Sequence, residues 1–290
     1  MVVLVTGANG QLGQSLQFIA PNYPDIQFVF CDSSQLDITN LNNIEQLFKQ
    51  FKPNFCINAA AYTAVDKAES EPEKSHLINV VGAKNLAVFC KGFDTILLHI
   101  STDFVFDGTK NTPYTEDDIP NPTGVYGQTK LDGEKAIQQT WEKHFIIRTS
   151  WVYSQFGNNF MKTMLRLASE RDKLSVVNDQ IGTPTNAVVL AEVLMKIITT
   201  YNLQPTIYNL FGIYNFSNEG QCSWYFFAKK IFEFNGVKIN LEPIPTTSFP
   251  TPAKRPAYSV LDKSKIKNTF GVEVKYWETS LKEVLTNGSI

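Results

Sequence analysis

The 290-residue sequence predicts an α/β protein built on a doubly wound parallel sheet, with a smaller C-terminal substrate-binding lobe. Three observations predict it. Short apolar runs alternate with helix-compatible segments through residues 1–150. A glycine-rich turn follows the first run at once. After Thr149 the alternation loosens, and Pro184, Pro205, Pro243, Pro245, Pro250, Pro252 and Pro256, half of the 14 prolines, fall there. Alternation of this kind means βαβ units with helices on both faces of the sheet, a Rossmann arrangement.

The elements follow in order. Val2 to Val5 is a β-rich run, followed by Thr6-Gly7-Ala8-Asn9-Gly10-Gln11-Leu12-Gly13 and a helix over Gln14 to Ala20 that Pro21 ends. Gln27 to Cys31 is a second strand closing on Asp32. Leu41, Ile44, Leu47, Phe48 and Phe51 share one helical face, with Thr39 or Asn40 as N-cap, and Pro53 breaks that helix before the strand Phe55 to Asn58. Leu77 to Cys90 then reads as helix, Thr95 to Ser101 as strand, Lys130 to Thr140 as helix and Phe145 to Thr149 as strand. Residues 1–150 thus form a dinucleotide-binding domain. Residues 151–290 form mainly a substrate-binding lobe, with one or two elements returning to the sheet.

Bulk properties narrow the function. With 26 Lys and Arg against 28 Asp and Glu the formal charge is −2, so there is no basic field for nucleic acid. The four cysteines (Cys31, Cys56, Cys90, Cys222) are far apart, and the histidines (His76, His99, His144) show no metal-ligand spacing. That fits a reducing cytoplasm and no metal site. The N-terminus has no signal-peptide pattern, and the apolar stretch Ala187 to Ile198 is interrupted by Glu192 and Lys196, so no membrane association is expected. The sequence leaves a homodimer open.

Two motifs carry chemistry. Gly7, Gly10 and Gly13 form a G-x-x-G-x-x-G loop between strand and helix, where glycine permits the tight turn, close approach to a pyrophosphate and helix-on-strand packing. Asp32, 19 residues after Gly13, is placed to bond adenosine ribose hydroxyls. No arginine follows it to receive a 2′-phosphate, so NADH is tolerated and NADPH is not excluded. The second motif is Tyr126-Gly-Gln-Thr-Lys130, whose spacing puts both side chains on one helical face. Carbonyl reduction needs a proton donor beside the hydride donor, and a nearby ammonium lowers the affinity of a tyrosine for its proton. Ser101-Thr102-Asp103 ends a strand where an open sheet binds ligands, so Thr102 can orient the carbonyl. Asn79 could link Lys130 to solvent through water.

Taken together the motifs resemble the extended short-chain dehydrogenase/reductases. Longer strings are similar to dTDP-4-dehydrorhamnose reductase: Asn58 to Pro72, Ser101 to Gly108, Arg148 to Tyr153, Gly157 to Met164, Asn178 to Thr185 and Pro250 to Pro256. The resemblance implies Thr102, Tyr126 and Lys130 as the catalytic group. It also implies Gly10, Gln11, Leu12, Asp32, Asp37, Ile38, Ala61, Tyr62 and Thr63 as cofactor contacts. Thr102, Asp103 and Trp151 would touch the substrate, dTDP-4-dehydro-L-rhamnose, whose C4 ketone is reduced to give dTDP-L-rhamnose with NADPH or NADH. Magnesium enters by resemblance alone, since the sequence shows no carboxylate cage. An indole at Trp151 suits stacking on a sugar ring, and Arg255 matches the geometry of a diphosphate. Two alternatives stand beside this reading. One is a reductase or epimerase/reductase of a UDP- or GDP-linked sugar. The other is a non-catalytic subunit resembling the regulatory subunit of methionine adenosyltransferase.

Overall fold

The computed structural model describes residues 1–203 and 210–287, and Pro205 and residues 288–290 lie outside that range. The first half runs β1 (Val2–Thr6), α1 (Gln11–Ile19), β2 (Gln27–Cys31), α2 (Leu41–Phe51), β3 (Phe55–Asn58), α3 (Val65–Ala68), α4 (Pro72–His76), α5 (Ala83–Gly92), β4 (Ile96–Thr102), α6 (Val125–Thr140) and β5 (His144–Thr149). The second half runs β6 (Val152–Tyr153), α7 (Phe160–Glu170), β7 (Lys173–Val177), β8 (Ile181–Gly182), β9 (Thr185–Asn186), α8 (Ala187–Leu203) and β10 (Gly212–Asn215). It ends with β11 (Cys222–Ser223), α9 (Trp224–Phe234), β12 (Asn240–Ile244), α10 (Ser264–Phe270) and α11 (Trp277–Asn287).

Six strands form the main sheet in the order β10-β5-β4-β3-β1-β2, and every pair is parallel. Strands β1, β3, β4 and β5 are buried on both faces, which is why they read as largely apolar runs. Val3, Val5, Phe55, Ile57, Leu98, Phe145 and Ile147 face one layer with Leu16 of α1 and Leu190 and Leu194 of α8. Leu4, Cys56, Leu97 and Ile146 face the other with Ile44 and Phe48 of α2 and Leu86 of α5. Such alternation follows from the two-residue period of a strand. Asn40 caps α2, its side chain accepting from the Asn43 amide, so the asparagine takes the role offered to Thr39 or Asn40.

Chain order reverses between β1 and β3, opening a crevice beyond the carboxyl ends of the strands. Three elements from beyond residue 150 (α8, β10 and α10) pack against or extend the sheet. The remaining lobe holds the two-stranded sheets β6–β9, β7–β12 and β8–β11 around Tyr153, Met161, Phe227 and Trp277. One departure from the expected helices bears on the site. Between α4 and α5 the chain makes a π-helical stretch, Leu77–Gly82.

Candidate active site

β1 delivers the chain into Gly7, whose φ of +67° lies in the left-handed region. A Cβ on Gly7 would stand 2.8 Å from the Ala59 backbone. At Gly13 the fit is tighter still: a Cβ there would meet the Gly7 carbonyl oxygen at 2.4 Å and Ala8 Cα at 2.6 Å. Glycine at these two positions lets α1 begin directly under the loop. Gly10 is the N-cap and offers no side chain, so the first amides of α1, at Gln11 and Leu12, face the crevice without an intrahelical acceptor. This cradle fits the pyrophosphate of a dinucleotide.

The crevice has a volume of about 1050 Å³. It is lined by Gly7, Gly10, Gln11, Leu12, Asp32, Asp37, Ile38, Ala61 and Thr63 on one side, and by Thr102, Asp103, Tyr126, Lys130, Trp151 and Arg255 on the other. Two of the residues expected there do not line it. Gly13 lies beneath the loop. Tyr62 turns its ring away, its hydroxyl donating to Glu71 Oε2 at 2.8 Å. Asn79, in the π-helical stretch, holds the Tyr62 backbone at both ends: its Oδ1 accepts from the Tyr62 amide at 2.9 Å and its Nδ2 donates to the Tyr62 carbonyl at 3.2 Å. Asn79 is therefore an anchor for the Ala61–Thr63 segment instead of a relay to Lys130. Asp32 uses both oxygens locally, accepting from the Ser34 amide and hydroxyl, from the Gln35 amide and from Asn9 Nδ2. The Ser34 bonds lead in holding its pKa below the ordinary value.

Tyr126 sits in the first turn of α6 and Lys130 one turn later, above the end of β4, where Thr102 ends the strand. Burial pushes the Tyr126 phenol up to about 12, opposed by its hydrogen bond with Thr102 and reinforced by the Asp103 carboxylate. Burial lowers Lys130 to about 8, with Glu134 acting the other way. Its Nζ donates to the Ile100 carbonyl at 2.6 Å and stands 3.3 Å from His99 Nε2. Asp103, accepting from Thr102 Oγ1 at 3.1 Å, is pushed up to about 6 by burial. Thus a protonated phenol, an adjustable amine and a hydroxyl meet at one point of the crevice.

A buried ion pair fixes that point to the sheet. Arg148 of β5 donates to both Glu134 oxygens, Nε at 3.0 Å and Nη2 at 2.7 Å, and Ser101 Oγ donates to Glu134 Oε1. Glu134 lies one helical turn beyond Lys130, so the pair sets how α6 rests on β4 and β5.

Across the crevice from the glycine loop, Trp151 has a φ of +47° and stacks on Trp224 with ring centroids 3.6 Å apart and planes 11° from parallel. Both rings line the crevice. Arg255 reaches the rim but pairs bidentately with Asp66 at 2.8 and 3.1 Å. Trp224, Asp66, Glu134 and His99 escaped the sequence reading. Only Glu134, four residues after Lys130, carried a signal in its spacing. Among the described residues no three His, Cys, Asp or Glu side chains are placed to hold a metal ion. A shallower depression of about 630 Å³ beside α7 contains none of the expected groups.

Known proteins match the chain end to end. The sequence model of the RmlD substrate binding domain family matches residues 1–290. A dTDP-4-dehydrorhamnose reductase of Aggregatibacter actinomycetemcomitans is 43% identical over 288 residues, covering 97% of each chain. The crystal structure of a dTDP-4-dehydrorhamnose reductase from Clostridium acetobutylicum superposes with a TM-score of 0.94 at 42% identity, covering 100% of both chains. One from Bacillus anthracis, in complex with NADP, gives 0.91 at 41% identity over 99% of both.

Proposed function

The chain belongs to the RmlD substrate-binding-domain family, and from that premise we propose that it is a reductase converting dTDP-4-dehydro-L-rhamnose to dTDP-L-rhamnose with NAD(P)H. The observation that carries the reading is the meeting of Thr102, Tyr126 and Lys130 in the crevice that also holds the phosphate cradle and the tryptophan pair. When bound, the nicotinamide supplies a hydride to C4 of the sugar. Tyr126, kept protonated by its surroundings, delivers a proton to the ketone oxygen. Thr102 holds that oxygen in line. Lys130 holds the nicotinamide ribose and, as an ammonium, favours the phenolate left on Tyr126. Gln11 and Leu12 amides take the pyrophosphate, while Asp32 faces the adenosine ribose. That carboxylate suits NADH, and NADPH enters with its 2′-phosphate beside it.

Residues 1–150 are proposed as the cofactor-binding unit. Residues 151–290, apart from the elements packed on the sheet, are the substrate-binding unit, with Trp151 against the sugar and Arg255 against the diphosphate. Among the described residues no helix is long and apolar enough to cross a membrane. A cytoplasmic location is supported by four cysteines that are all buried and unpaired. Sedimentation checks the assembly, with a homodimer as the expected species.

The test is oxidation of NADH and NADPH at 340 nm with the dTDP keto-sugar beside its UDP analogue. Tyr126→Phe should lower kcat by about 10²- to 10⁴-fold with cofactor affinity retained. Preference for the UDP sugar would move the substrate, and full turnover by Tyr126→Phe would refute the assignment. Cofactor binding without turnover on either sugar would favour a partner-binding subunit.

A further inference from the structure

A row of polar side chains crosses the sheet beneath the crevice. Thr6, Asn58 and His99 are register neighbours on β1, β3 and β4, and all three are buried to 1% exposure or less. Polar groups so placed in an apolar sheet need a reason. Their hydrogen bonds run in one direction. Asn58 Oδ1 accepts from Thr6 Oγ1 at 2.8 Å and from the Ala60 amide at 3.2 Å. Its Nδ2 is thereby turned to His99 Nδ1, 3.0 Å away. Reversing the amide would set an N–H against the Ala60 N–H. His99 Nδ1 therefore accepts, and in the neutral ring the proton sits on Nε2. His99 is held neutral, its pKa pushed well down by burial first and then by Lys130 and His144.

That Nε2–H points at Lys130 Nζ. An ammonium has three donors and no lone pair, so a second donor aimed at it is repulsive. An uncharged amine has one lone pair, which the His99 N–H fills, leaving two donors for the Ile100 carbonyl and a cofactor hydroxyl. We propose that His99 is a positioning residue of the reaction: locked as the Nε2–H tautomer by Asn58, it favours the uncharged amine of Lys130 over the ammonium and so sets the pH at which the Tyr126–Lys130 pair stops delivering protons. The lowering of Lys130 by burial acts in the same direction.

The other groups around Lys130 are accounted for. On α6, Tyr126 lies a turn before it and Glu134 a turn after, the latter opposing the effect while engaged with Arg148 and Ser101. Asp103, after β4, acts on Tyr126. From β5, His144 acts on His99. From β1 and β3 come only the uncharged Thr6 and Asn58. A histidine serving as inert filler would be indifferent to its tautomer, whereas this one is fixed by Asn58 on one side and faces Lys130 on the other.

The inference rests on Tyr126 and Lys130 being the proton-handling pair, and its test reads Lys130 directly. The ¹³Cε resonance of Lys130 is titrated in the intact protein with NADH bound, and the alkaline limb of kcat/KM is recorded beside it. His99→Leu removes the opposing donor and should raise the midpoint by about one pH unit, a tenfold gain in proton affinity. Asn58→Leu removes the amide that fixes the tautomer without adding charge, frees His99 to turn its Nε2 lone pair toward Lys130 and should shift the midpoint the same way. His99→Gln, its carbonyl on Asn58 and its amide on Lys130, should keep the wild-type midpoint. If His99→Leu does not fold, Asn58→Leu carries the test. A midpoint unmoved in the folded variants, even with kcat reduced, overturns the proposal. The titration needs no sugar substrate, so failure of the reductase reading (full turnover by Tyr126→Phe) is a separate result.

Discussion

Removing Arg148 alone should cost more than removing Arg148 and Glu134 together. The two side chains are 2% and 1% exposed and share two hydrogen bonds. Arg148→Met leaves the Glu134 carboxylate in the core with Ser101 as its remaining partner. Stranding one member of a buried pair costs about 3–5 kcal/mol. Glu134→Met strands the guanidinium, whose Nη1 already lacks a partner, and should cost a similar amount. Were the two changes independent, the double variant would lose about 6–10 kcal/mol, whereas replacing a whole buried pair by apolar groups is often near neutral. Ser101 then loses its acceptor, at about 1–3 kcal/mol. The double variant should therefore be more stable than either single one, by roughly 2 kcal/mol at the middle of these ranges. Equilibrium urea unfolding of the four proteins measures this, and kcat should follow because α6 carries Tyr126 and Lys130. Additive losses, or singles costing under about 1 kcal/mol, would refute the argument that desolvation dominates this pair.

Three further outcomes are expected. Gly13→Ala must push α1 away from rigid backbone, costing about 1–3 kcal/mol in urea unfolding, and should weaken NADH binding at least tenfold by fluorescence quenching; unchanged affinity would count against the cradle. Trp224→Leu removes the ring stacked on Trp151, and because such pairs contribute about 0.5–1.5 kcal/mol beyond area, KM for the sugar nucleotide should rise roughly two- to tenfold with kcat affected less; an unchanged KM would remove the pair from the substrate site. Asp103 is raised by burial from 3.8 to about 6, so the folded protein retains a proton that the unfolded chain has released in that window, and stability falls as pH rises through it. Asp103→Asn should remove that fall, gaining about 3 kcal/mol relative to wild type between pH 4 and pH 7; parallel pH curves would refute it.

The strands β1 to β5 were legible because strands covered on both faces become apolar runs, such as Val2 to Val5 and Phe55 to Ile57. The glycine loop was legible because two of its positions admit no Cβ. What stayed hidden depended on partners distant in sequence. Trp224 meets Trp151 only after 72 residues of intervening chain close a second lobe, and nothing near Cys222-Ser223-Trp224 marks it. Arg255 was read as free for a phosphate, yet Asp66 lies 189 residues away and occupies it. The π-helical stretch at Leu77–Gly82 carries no Pro and its one Gly stands at its last position, yet it places Asn79 against Tyr62. His99, inside Ile96-Leu-Leu-His-Ile100, offered no periodic signal, because its meaning lies in lateral neighbours on β3 and on α6.

The charge of the crevice constrains how it can hold two phosphorylated ligands. Its charged lining is Asp32, Asp37 and Asp103 against Lys130 and Arg255, so it has no cationic excess to draw a dinucleotide or a nucleotide sugar from solution. Arg255, moreover, is paired with Asp66 before any diphosphate arrives. On the proposed reading, binding relies on oriented neutral donors, the Gln11 and Leu12 amides above all, whose dipoles are fixed by the fold and need no counter-charge. Such donors act at contact range, while unpaired cations act over a Debye length of about 8 Å at physiological salt. Affinity for NADH should accordingly depend little on ionic strength. A sugar diphosphate that displaces Asp66 from Arg255 exchanges one ion pair for another, so Arg255 contributes more to the choice of a diphosphate over a neutral sugar than to the strength of binding.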